Sequence, residues 1–216
     1  MKIGIIGGSG KAGREIFREA VKRGDVPTAI VRDARKAEGV FGDYGNYLAK
    51  DALKLTAADL ASFDIVIDSL GTTPSDAVRH VELAKHLVGL ARGMKDAPRL
   101  VFVLGAGSLD VGEGRRYLDV LYDQPGTASW IAIPEQQARE LAFLRGVADV
   151  EWVGISPSAE FVVGPATRPV LGGDALLRGP GGASRVSTGT FAVAVLDEVH
   201  DPSHRGQRFT VRDEHC

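Results

Sequence analysis

The sequence predicts an α/β protein built on a doubly wound, parallel sheet. Three observations support this fold class: short apolar runs recur along the chain, helical stretches separate them, and a glycine-rich turn follows the first run. The runs are apolar on consecutive residues, which is the pattern of strands whose two faces are both covered by helices. They lie at residues 3–6, 28–31, 65–67, 100–104 and 152–155.

The composition is that of an ordered, globular chain. Of 216 residues, 44% are hydrophobic and 25% are charged, and the net charge is −2. A chain of this length can bury a sizeable core as one domain. Because there is no basic field and no run of 18 apolar residues, we expect neither nucleic acid nor a membrane as a partner. The first residues are typical of a strand, so we expect a cytoplasmic protein, and the single cysteine, Cys216, excludes an internal disulfide.

Helices are predicted from apolar spacing and capping residues. Residues 73–76, Thr-Pro-Ser-Asp, have the form of an N-terminal cap, so a helix is expected to begin at Pro74. Its apolar stripe comprises Ala77, Val81, Ala84, Val88 and Ala91. Further helices are predicted over 135–145, with Pro134 at the start, and over 190–199, before a last strand at 208–211.

Residues 7–13, Gly-Gly-Ser-Gly-Lys-Ala-Gly, form a GxxGxxG motif between the first strand and a helix. Gly7 suits the turn off the strand, Gly10 lets the backbone approach a pyrophosphate, and Gly13 lets the helix pack closely on the sheet. The helix N-terminus adds unpaired N–H groups and a partial positive charge. The motif therefore predicts a Rossmann-type dinucleotide site, and the alternative is a tight strand-to-helix turn without a ligand.

The end of the second strand indicates which dinucleotide binds. An acidic residue there holds the ribose 2′-OH of NAD, whereas an arginine accommodates the 2′-phosphate of NADP. This chain has Arg32 followed by Asp33, and Lys11 is expected to reach the same phosphate. We therefore expect NADP(H) in preference to NAD(H). The alternative is that Arg32 is a solvated cation paired with Asp33.

Further motifs follow in a fixed order along the chain. They lie at 63–68 before Gly71, at 104–109, 156–159, 171–174, 184–187 and 207–211. Together with GxxGxxG and Val31-Arg32, this set resembles the atypical short-chain dehydrogenase/reductases. The most similar subgroup is NADH-flavin-reductase-like, and its relatives include biliverdin reductase B and the NmrA-like regulators. The resemblance spans nearly the whole chain.

The resemblance implies a set of cofactor-binding residues along one edge of the sheet. For the pyrophosphate it implies Gly7, Ser9, Gly10, Lys11, Ala12 and Gly13. Arg32 would bind the 2′-phosphate, Asp51 and Ala52 would lie beside the adenine, and Leu70 and Gly71 beside the ribose. Gly105 and Ser108 would face the nicotinamide, and Pro157 and Ser158 would close that side.

Residues after Gly164 differ in character from the rest. Glycine-rich turns at 172–173 and 179–182 separate short β-like pieces at 170–171, 175–177 and 185–187. We therefore expect one Rossmann domain over 1–216, with a small C-terminal α/β substrate lobe over about 157–216. Its size suits a small planar ligand.

The acid–base pair of typical short-chain dehydrogenases, a Tyr and a Lys four residues apart, is missing from the sequence. Tyr44, Tyr47, Tyr117 and Tyr122 are followed at that spacing by Leu48, Asp51, Leu121 and Gly126. A flavin, a quinone or a similar conjugated acceptor is more compatible with this lack, because hydride goes to an electron-poor ring and the proton can come from solvent.

Other polar residues are weaker candidates. Ser108 is the catalytic candidate, because its hydroxyl group could contact an acceptor oxygen or the carboxamide. The alternative is that Ser108 lies at a strand end or a cap and bonds backbone groups. We expect Asp64 and Asp68 to be solvated or capping carboxylates, and Trp130 and Trp152 to be core or pocket wall. The spacing of the histidines predicts no metal site.

Three functions remain open from the sequence. The first is an NAD(P)H-dependent reductase of a planar acceptor, with flavin as a substrate. The second is a non-catalytic, NADP(H)-binding redox sensor of the NmrA-like type. The third, a nucleotide-sugar epimerase, is disfavoured by the missing pair and the short C-terminal lobe. A monomer and a homodimer are equally compatible with the sequence.

Overall fold

A computed structural model describes residues 1–41 and 46–216, so Tyr44 lies outside the described residues. Its strands are β1 (Lys2–Ile6), β2 (Val26–Val31), β3 (Asn46–Ala49), β4 (Ile65–Asp68), β5 (Arg99–Val103), β6 (Asp110–Gly112), β7 (Arg115–Arg116), β8 (Trp152–Pro157), β9 (Glu160–Val162), β10 (Pro169–Gly172), β11 (Arg185–Ser187) and β12 (Gln207–Asp213). Its helices are α1 (Lys11–Lys22), α2 (Ala34–Phe41), α3 (Ala57–Leu60), α4 (Arg79–Arg92), α5 (Tyr117–Tyr122), α6 (Ala132–Leu144) and α7 (Thr188–His200).

The central sheet has eight strands in the order β10-β12-β8-β5-β4-β1-β2-β3. Every neighbouring pair is parallel except β10 with β12. The chain thus winds outward from β1 in both directions, and the predicted doubly wound, Rossmann-type α/β fold is confirmed. Within the described ranges, no helix is both long and apolar enough to cross a membrane.

The core lies on both faces of this sheet. Successive strand residues enter opposite clusters: Ile65 and Ile67 pack on the face covered by α1 and α7, whereas Val66 packs on the face covered by α4 and α6. Such strands must be apolar on consecutive residues, which is why the apolar runs located them correctly.

Two predicted helix starts are wrong. Residues 74–76 form a separate 3-10 turn, and α4 begins only at Arg79. The Thr73 hydroxyl donates to Asp76 Oδ2 at 3.0 Å instead of capping a backbone N–H. Helix α6 begins earlier than predicted, at Ala132, because Pro134 fits within the first turn, where a missing N–H breaks no helical bond.

The C-terminal segment adds strands to two sheets. β12 lies between β8 and β10 in the central sheet, and β9 pairs with β11 in a small parallel sheet. The strand predicted over 175–177 is wrong, because Ala175 makes only an isolated bridge with Asp110. The boundary of a C-terminal lobe near residue 157 stays a prediction.

Candidate functional site

Two adjoining cavities lie beyond the carboxyl ends of the central strands. The larger has a volume of about 450 Å³ and the smaller about 160 Å³. Gly10, Leu70 and Gly71 form part of both walls. The cavities therefore lie where β1 separates the two directions of winding, which is the usual ligand position in open α/β sheets.

The glycine loop has a conformation that explains its composition. Gly7 has a φ of +69°, and its N–H donates to the Ile30 carbonyl oxygen at 3.0 Å. A Cβ at Gly13 would clash with the Gly7 carbonyl oxygen and lie 2.7 Å from Ser69 Oγ. Gly13 therefore packs helix α1 against the loop without lining either cavity, whereas Gly10 and Ala12 lie on the wall.

The smaller cavity brings together residues predicted for the pyrophosphate, the 2′-phosphate and the adenine. Gly7, Ser9, Arg32, Asp51 and Ala52 line it, together with Lys50 and Arg79, which sequence reasoning missed. Arg79 is the first residue of α4. The predicted helix began five residues earlier, so no pattern in the sequence placed Arg79 at the end of a helix beside the cavity.

Asp51 forms the polar centre of this cavity. Arg79 Nη2 donates to both carboxylate oxygens at 2.7 and 2.9 Å, and the Leu53 N–H donates to Oδ1 at 3.0 Å. The hydrogen bond from Arg79 is the main cause that lowers the pKa of Asp51, and the nearby charge of Arg32 adds to it. Arg32 itself is exposed on the wall of this cavity.

Lys11 does not converge with Arg32 as expected. Its Nζ donates to the Phe161 carbonyl oxygen at 2.7 Å and lies 4.5 Å from the centre of the Phe161 ring. Partial burial lowers the pKa of Lys11. The ammonium thus lies at the larger cavity, while Arg32 lies at the smaller one, so the expectation of two cations on one phosphate is wrong.

The larger cavity combines predicted residues with aromatic walls. The predicted members are Gly10, Lys11, Ala12, Leu70, Gly71, Gly105, Pro157 and Ser158. Residues that sequence reasoning did not assign to the site include Tyr117, Phe161, Gln137, Thr72 and His80. Trp130 lines this cavity, and pocket wall was one of the two positions expected for it. Trp152 is fully buried in the core, where its indole N–H donates to the Val147 carbonyl oxygen.

Ser108 does not reach the cavity. Its Oγ accepts a 3.3 Å hydrogen bond from Arg208 Nη1, and Arg208 also donates to Ser156 Oγ at 3.0 Å. The Arg208 guanidinium is further held by Asp174. The 3-10 turn at 106–108 directs the Ser108 side chain to this buried cluster, so only Gly105, Ala106 and Gly107 of this segment line the cavity.

Of the two expected alternatives for Asp68, a solvated or a capping carboxylate, the structure shows a capping carboxylate that is buried. The residue is only 3% exposed, and Oδ1 accepts a hydrogen bond from the Leu70 N–H at 3.0 Å. Burial raises its pKa to about 7. Asp64, by contrast, lies at the surface and accepts a hydrogen bond from the Lys2 N–H, as a capping carboxylate would.

Two further buried ionisable groups lie beside the larger cavity. His80 Nε2 lies 3.2 Å from Thr72 Oγ1, and His80 Nδ1 lies 3.8 Å from Glu140 Oε2. Burial lowers the pKa of His80 to about 4. Burial, and then the charge of Asp68, raise the pKa of Glu140 well above its ordinary value. No pattern in the sequence indicated this group, because Glu140 is preceded at helical spacing by Gln136 and Gln137 and its burial arises only from packing.

The described ranges contain no group of three or more His, Cys, Asp or Glu side chains placed to hold a metal ion.

The glycine loop and the paired cavities at the switch point of a Rossmann-type sheet define the chain as a nucleotide-binding protein. Residues 7–199 match a family described as NAD(P)H-binding, so the chain belongs to this NAD(P)H-binding family. The resemblance noted in the sequence predicted an NAD(P)H-binding chain, and this family match confirms that prediction.

Similar proteins cover the whole chain. YwnB of Bacillus subtilis (strain 168) is 39% identical over 219 residues, which cover 99% of each chain. A crystal structure of a Lactobacillus casei protein is 39% identical, with a TM-score of 0.90 and 99% of each chain covered. A Streptococcus pneumoniae TIGR4 protein, named "putative NADH-flavin reductase", is 32% identical with a TM-score of 0.87, again over 99% of each chain.

Proposed function

We propose that this protein is an NADPH-dependent oxidoreductase that reduces a flavin, a quinone or a similar conjugated acceptor. The observation that carries the proposal is the larger cavity, whose walls include Tyr117, Trp130 and Phe161 and which adjoins the smaller, cation-rich cavity. Aromatic walls favour a planar ring through stacking. The name of the S. pneumoniae relative supports the same class of acceptor.

The residues present fit a dinucleotide across both cavities. A Cβ at Gly10 would lie 3.0 Å from the Gly7 carbonyl oxygen, and no side chain caps the N-terminus of α1, so the first N–H groups of this helix would be available to a pyrophosphate. When bound, NADPH supplies a hydride. The aromatic side chains orient the acceptor over the nicotinamide position and exclude water from it.

An acceptor panel tests the reductase. Purified protein is mixed anaerobically with NADPH and with FMN or a quinone, and absorbance of NADPH is followed. We expect turnover in the wild type and loss of turnover in Gly10→Glu, because a carboxylate at this position repels the pyrophosphate. Gly89→Glu, at an exposed site with open space around it, is the control and is expected to retain activity.

The outcomes separate two functions. Absence of acceptor-dependent turnover in the wild type contradicts the reductase. If NADPH still binds in that case, the cofactor-sensing regulator becomes the better account. A partner pull-down compared between NADPH and NADP⁺ then tests it, because a regulator requires different partner contacts in the two redox states.

We also propose that NADPH is preferred over NADH. Arg32 is exposed at the smaller cavity, where its guanidinium group would meet a 2′-phosphate, whereas Arg79 is held there by Asp51. Fluorescence titration of Arg32→Ala is expected to reduce the NADPH/NADH affinity ratio by about tenfold or more, with NADH affinity almost unchanged. Arg35→Ala, also exposed, is the control. An unchanged ratio in Arg32→Ala would contradict the 2′-phosphate assignment.

A further inference from the structure

We infer that Thr72, His80 and Glu140 form a proton relay that ends at the larger cavity and supplies the proton that accompanies hydride transfer. This inference rests on the proposed reductase function. The missing Tyr and Lys pair suggested that this proton comes from solvent. The relay instead supplies the proton from a group inside the protein.

The relay is a line of contacts through three separate segments. Thr72 follows β4, His80 is on the first turn of α4, and Glu140 is on α6. The Thr72 hydroxyl lies 3.2 Å from His80 Nε2, and His80 Nδ1 lies 3.8 Å from Glu140 Oε2. Thr72 and His80 line the cavity, whereas Glu140 lies behind His80 and is 2% exposed. The line therefore connects the protein interior to the acceptor position.

The surroundings of Glu140, at the inner end of this line, favour a protonated carboxyl group. Glu140 Oε2 is buried and has no hydrogen-bond partner among the described residues. An unpaired, buried carboxylate is strongly disfavoured, so burial favours the neutral form of Glu140. The raised pKa of Glu140, caused first by burial and then by the charge of Asp68, agrees with this state.

His80 is suited to pass a proton without storing one. Because burial lowers its pKa to about 4, the imidazole is neutral at pH 7. A neutral imidazole has one N–H donor and one acceptor nitrogen, so it can donate from Nε2 while it accepts at Nδ1. Tyr117 and Lys11 are the other titratable side chains at this cavity, and Lys11 Nζ is engaged by the Phe161 carbonyl oxygen.

The proton and electron balance closes over these groups. The acceptor gains two electrons as hydride from the nicotinamide, which is oxidised, and takes a proton from Thr72 Oγ1. Thr72 takes the proton of His80 Nε2, and His80 Nδ1 takes the proton of the Glu140 carboxyl group. The step leaves a Glu140 carboxylate and a neutral His80 in the other tautomer. A solvent proton returns along the same line when the cavity next opens to water.

One distance must shorten for this transfer. The 3.8 Å between His80 Nδ1 and Glu140 Oε2 is about 1 Å longer than a hydrogen bond. Contacts of this kind often tighten only when ligands bind. In this relay Thr72, on the cavity wall, is the donor to the acceptor, and His80 and Glu140 act through it as positioning residues.

Two buried acids whose charges interact, Asp68 and Glu140, are unfavourable if their role is only structural. Apolar side chains of similar volume at Asp68 and Glu140 would avoid the desolvation of two carboxyl groups. A purely structural role also leaves unexplained why the group continues through His80 to a hydroxyl on the cavity wall. A proton donor to the acceptor accounts for both features.

The test compares Thr72→Val, Thr72→Ser and Glu140→Gln with the wild type, and uses the exposed Glu82→Gln on α4 as a control. With the acceptor that the wild type reduces, kcat is expected to fall at least tenfold in Thr72→Val and Glu140→Gln. The KM for the acceptor is expected to change less than about threefold, since the relay acts in the chemical step. Thr72→Ser, which keeps the hydroxyl, is expected to restore kcat, and the pH profile and solvent deuterium isotope effect are expected to change only in the two impaired variants.

A second readout needs no turnover. In ¹⁵N-histidine NMR of the protein without cofactor, Glu140→Gln is expected to shift the His80 ring resonances, and Glu82→Gln is expected to leave them in place. An unshifted His80 in Glu140→Gln overturns the relay, and so does a wild-type kcat in Thr72→Val. If the wild type reduces an acceptor, these results leave the reductase intact. If the wild type reduces none, the reductase and the relay are both wrong.

Discussion

Lys11 Nζ donates a 2.7 Å hydrogen bond to the Phe161 carbonyl oxygen and lies 4.5 Å from the centre of the same residue's ring. This contact ties the first turn of α1 to β9, across 150 residues of sequence. It positions an aromatic wall of the larger cavity directly from the glycine loop. The glycine loop and the aromatic wall of the larger cavity are therefore directly connected.

Lys11→Met is expected to loosen this connection. The substitution keeps an apolar stem over the ring and removes the charged donor, so the free energy of unfolding should fall by about 0.5–1 kcal/mol, a small value because Lys11 is largely solvent-exposed. Hydrogen exchange at β9 should increase. Lys95→Met, at another exposed lysine, is the control, and equal exchange at β9 in both variants would contradict the tether.

Gly13→Ala is expected to destabilise the protein and weaken binding of NADPH. The new Cβ would clash with the Gly7 carbonyl oxygen and lie 2.8 Å from the Gly8 Cα, so α1 must move away from the loop. The cost should be about 1–3 kcal/mol in urea unfolding. Gly89→Ala, in α4 with nothing within 4 Å, is expected to stabilise by about 0.5–1 kcal/mol. Equal effects at the two glycines would contradict the packing role of Gly13.

Asp68→Asn is expected to change how stability depends on pH. The folded-state pKa of Asp68 is raised from 3.8 to about 7, so between these values the folded state holds a proton that the unfolded state has released. Wild-type stability should therefore fall as pH rises through this window, by up to about 1.4 kcal/mol per pH unit from this group. The variant lacks this loss.

Urea unfolding at pH 5 and pH 7 checks the sign. Relative to the wild type, the free energy of unfolding of Asp68→Asn should rise by about 1–3 kcal/mol from pH 5 to pH 7. Asp64→Asn removes an exposed carboxylate and should show no comparable gain. A difference between Asp68→Asn and the wild type that is the same at both pH values would show that the buried carboxyl group does not titrate in this window.

Arg208→Met is expected to lower the free energy of unfolding, whereas Ser108→Ala is expected to leave activity almost unchanged. Arg208 holds Asp174 and two serine hydroxyls from a fully buried side chain, so its loss should cost about 2 kcal/mol in thermal or urea unfolding. Ser108 has only a 3.3 Å bond to Arg208 and does not line the cavity, so its loss should leave kcat within about twofold. A large loss of kcat in Ser108→Ala would restore Ser108 as the catalytic candidate.

Local signals in the sequence were sufficient for the glycine loop and for every strand of the central sheet except β3, whose residues are mostly exposed and so form no apolar run. Runs such as 65–67 predict parallel strands because a strand covered on both faces must be apolar on every residue. The glycines at 7 and 13 have conformational and packing reasons that act within a few residues. Of the predicted site residues, all except Gly13 and Ser108 line one of the two cavities.

Tertiary structure alone decided which side chains meet and in which protonation state. Arg79 and Asp51 are 28 residues apart, and Arg208 and Ser108 are 100 apart, so neither pair produces a pattern along the chain. The pKa values of Asp68, His80 and Glu140 depend on burial between β4, α4 and α6, and burial is a property of packing. The sequence by itself determined the fold class and the conformation of the glycine loop, because continuous apolar runs mark doubly covered strands and the glycine requirements act within a few residues. The charges and the proton positions around the larger cavity arise only when distant segments exclude water from one another.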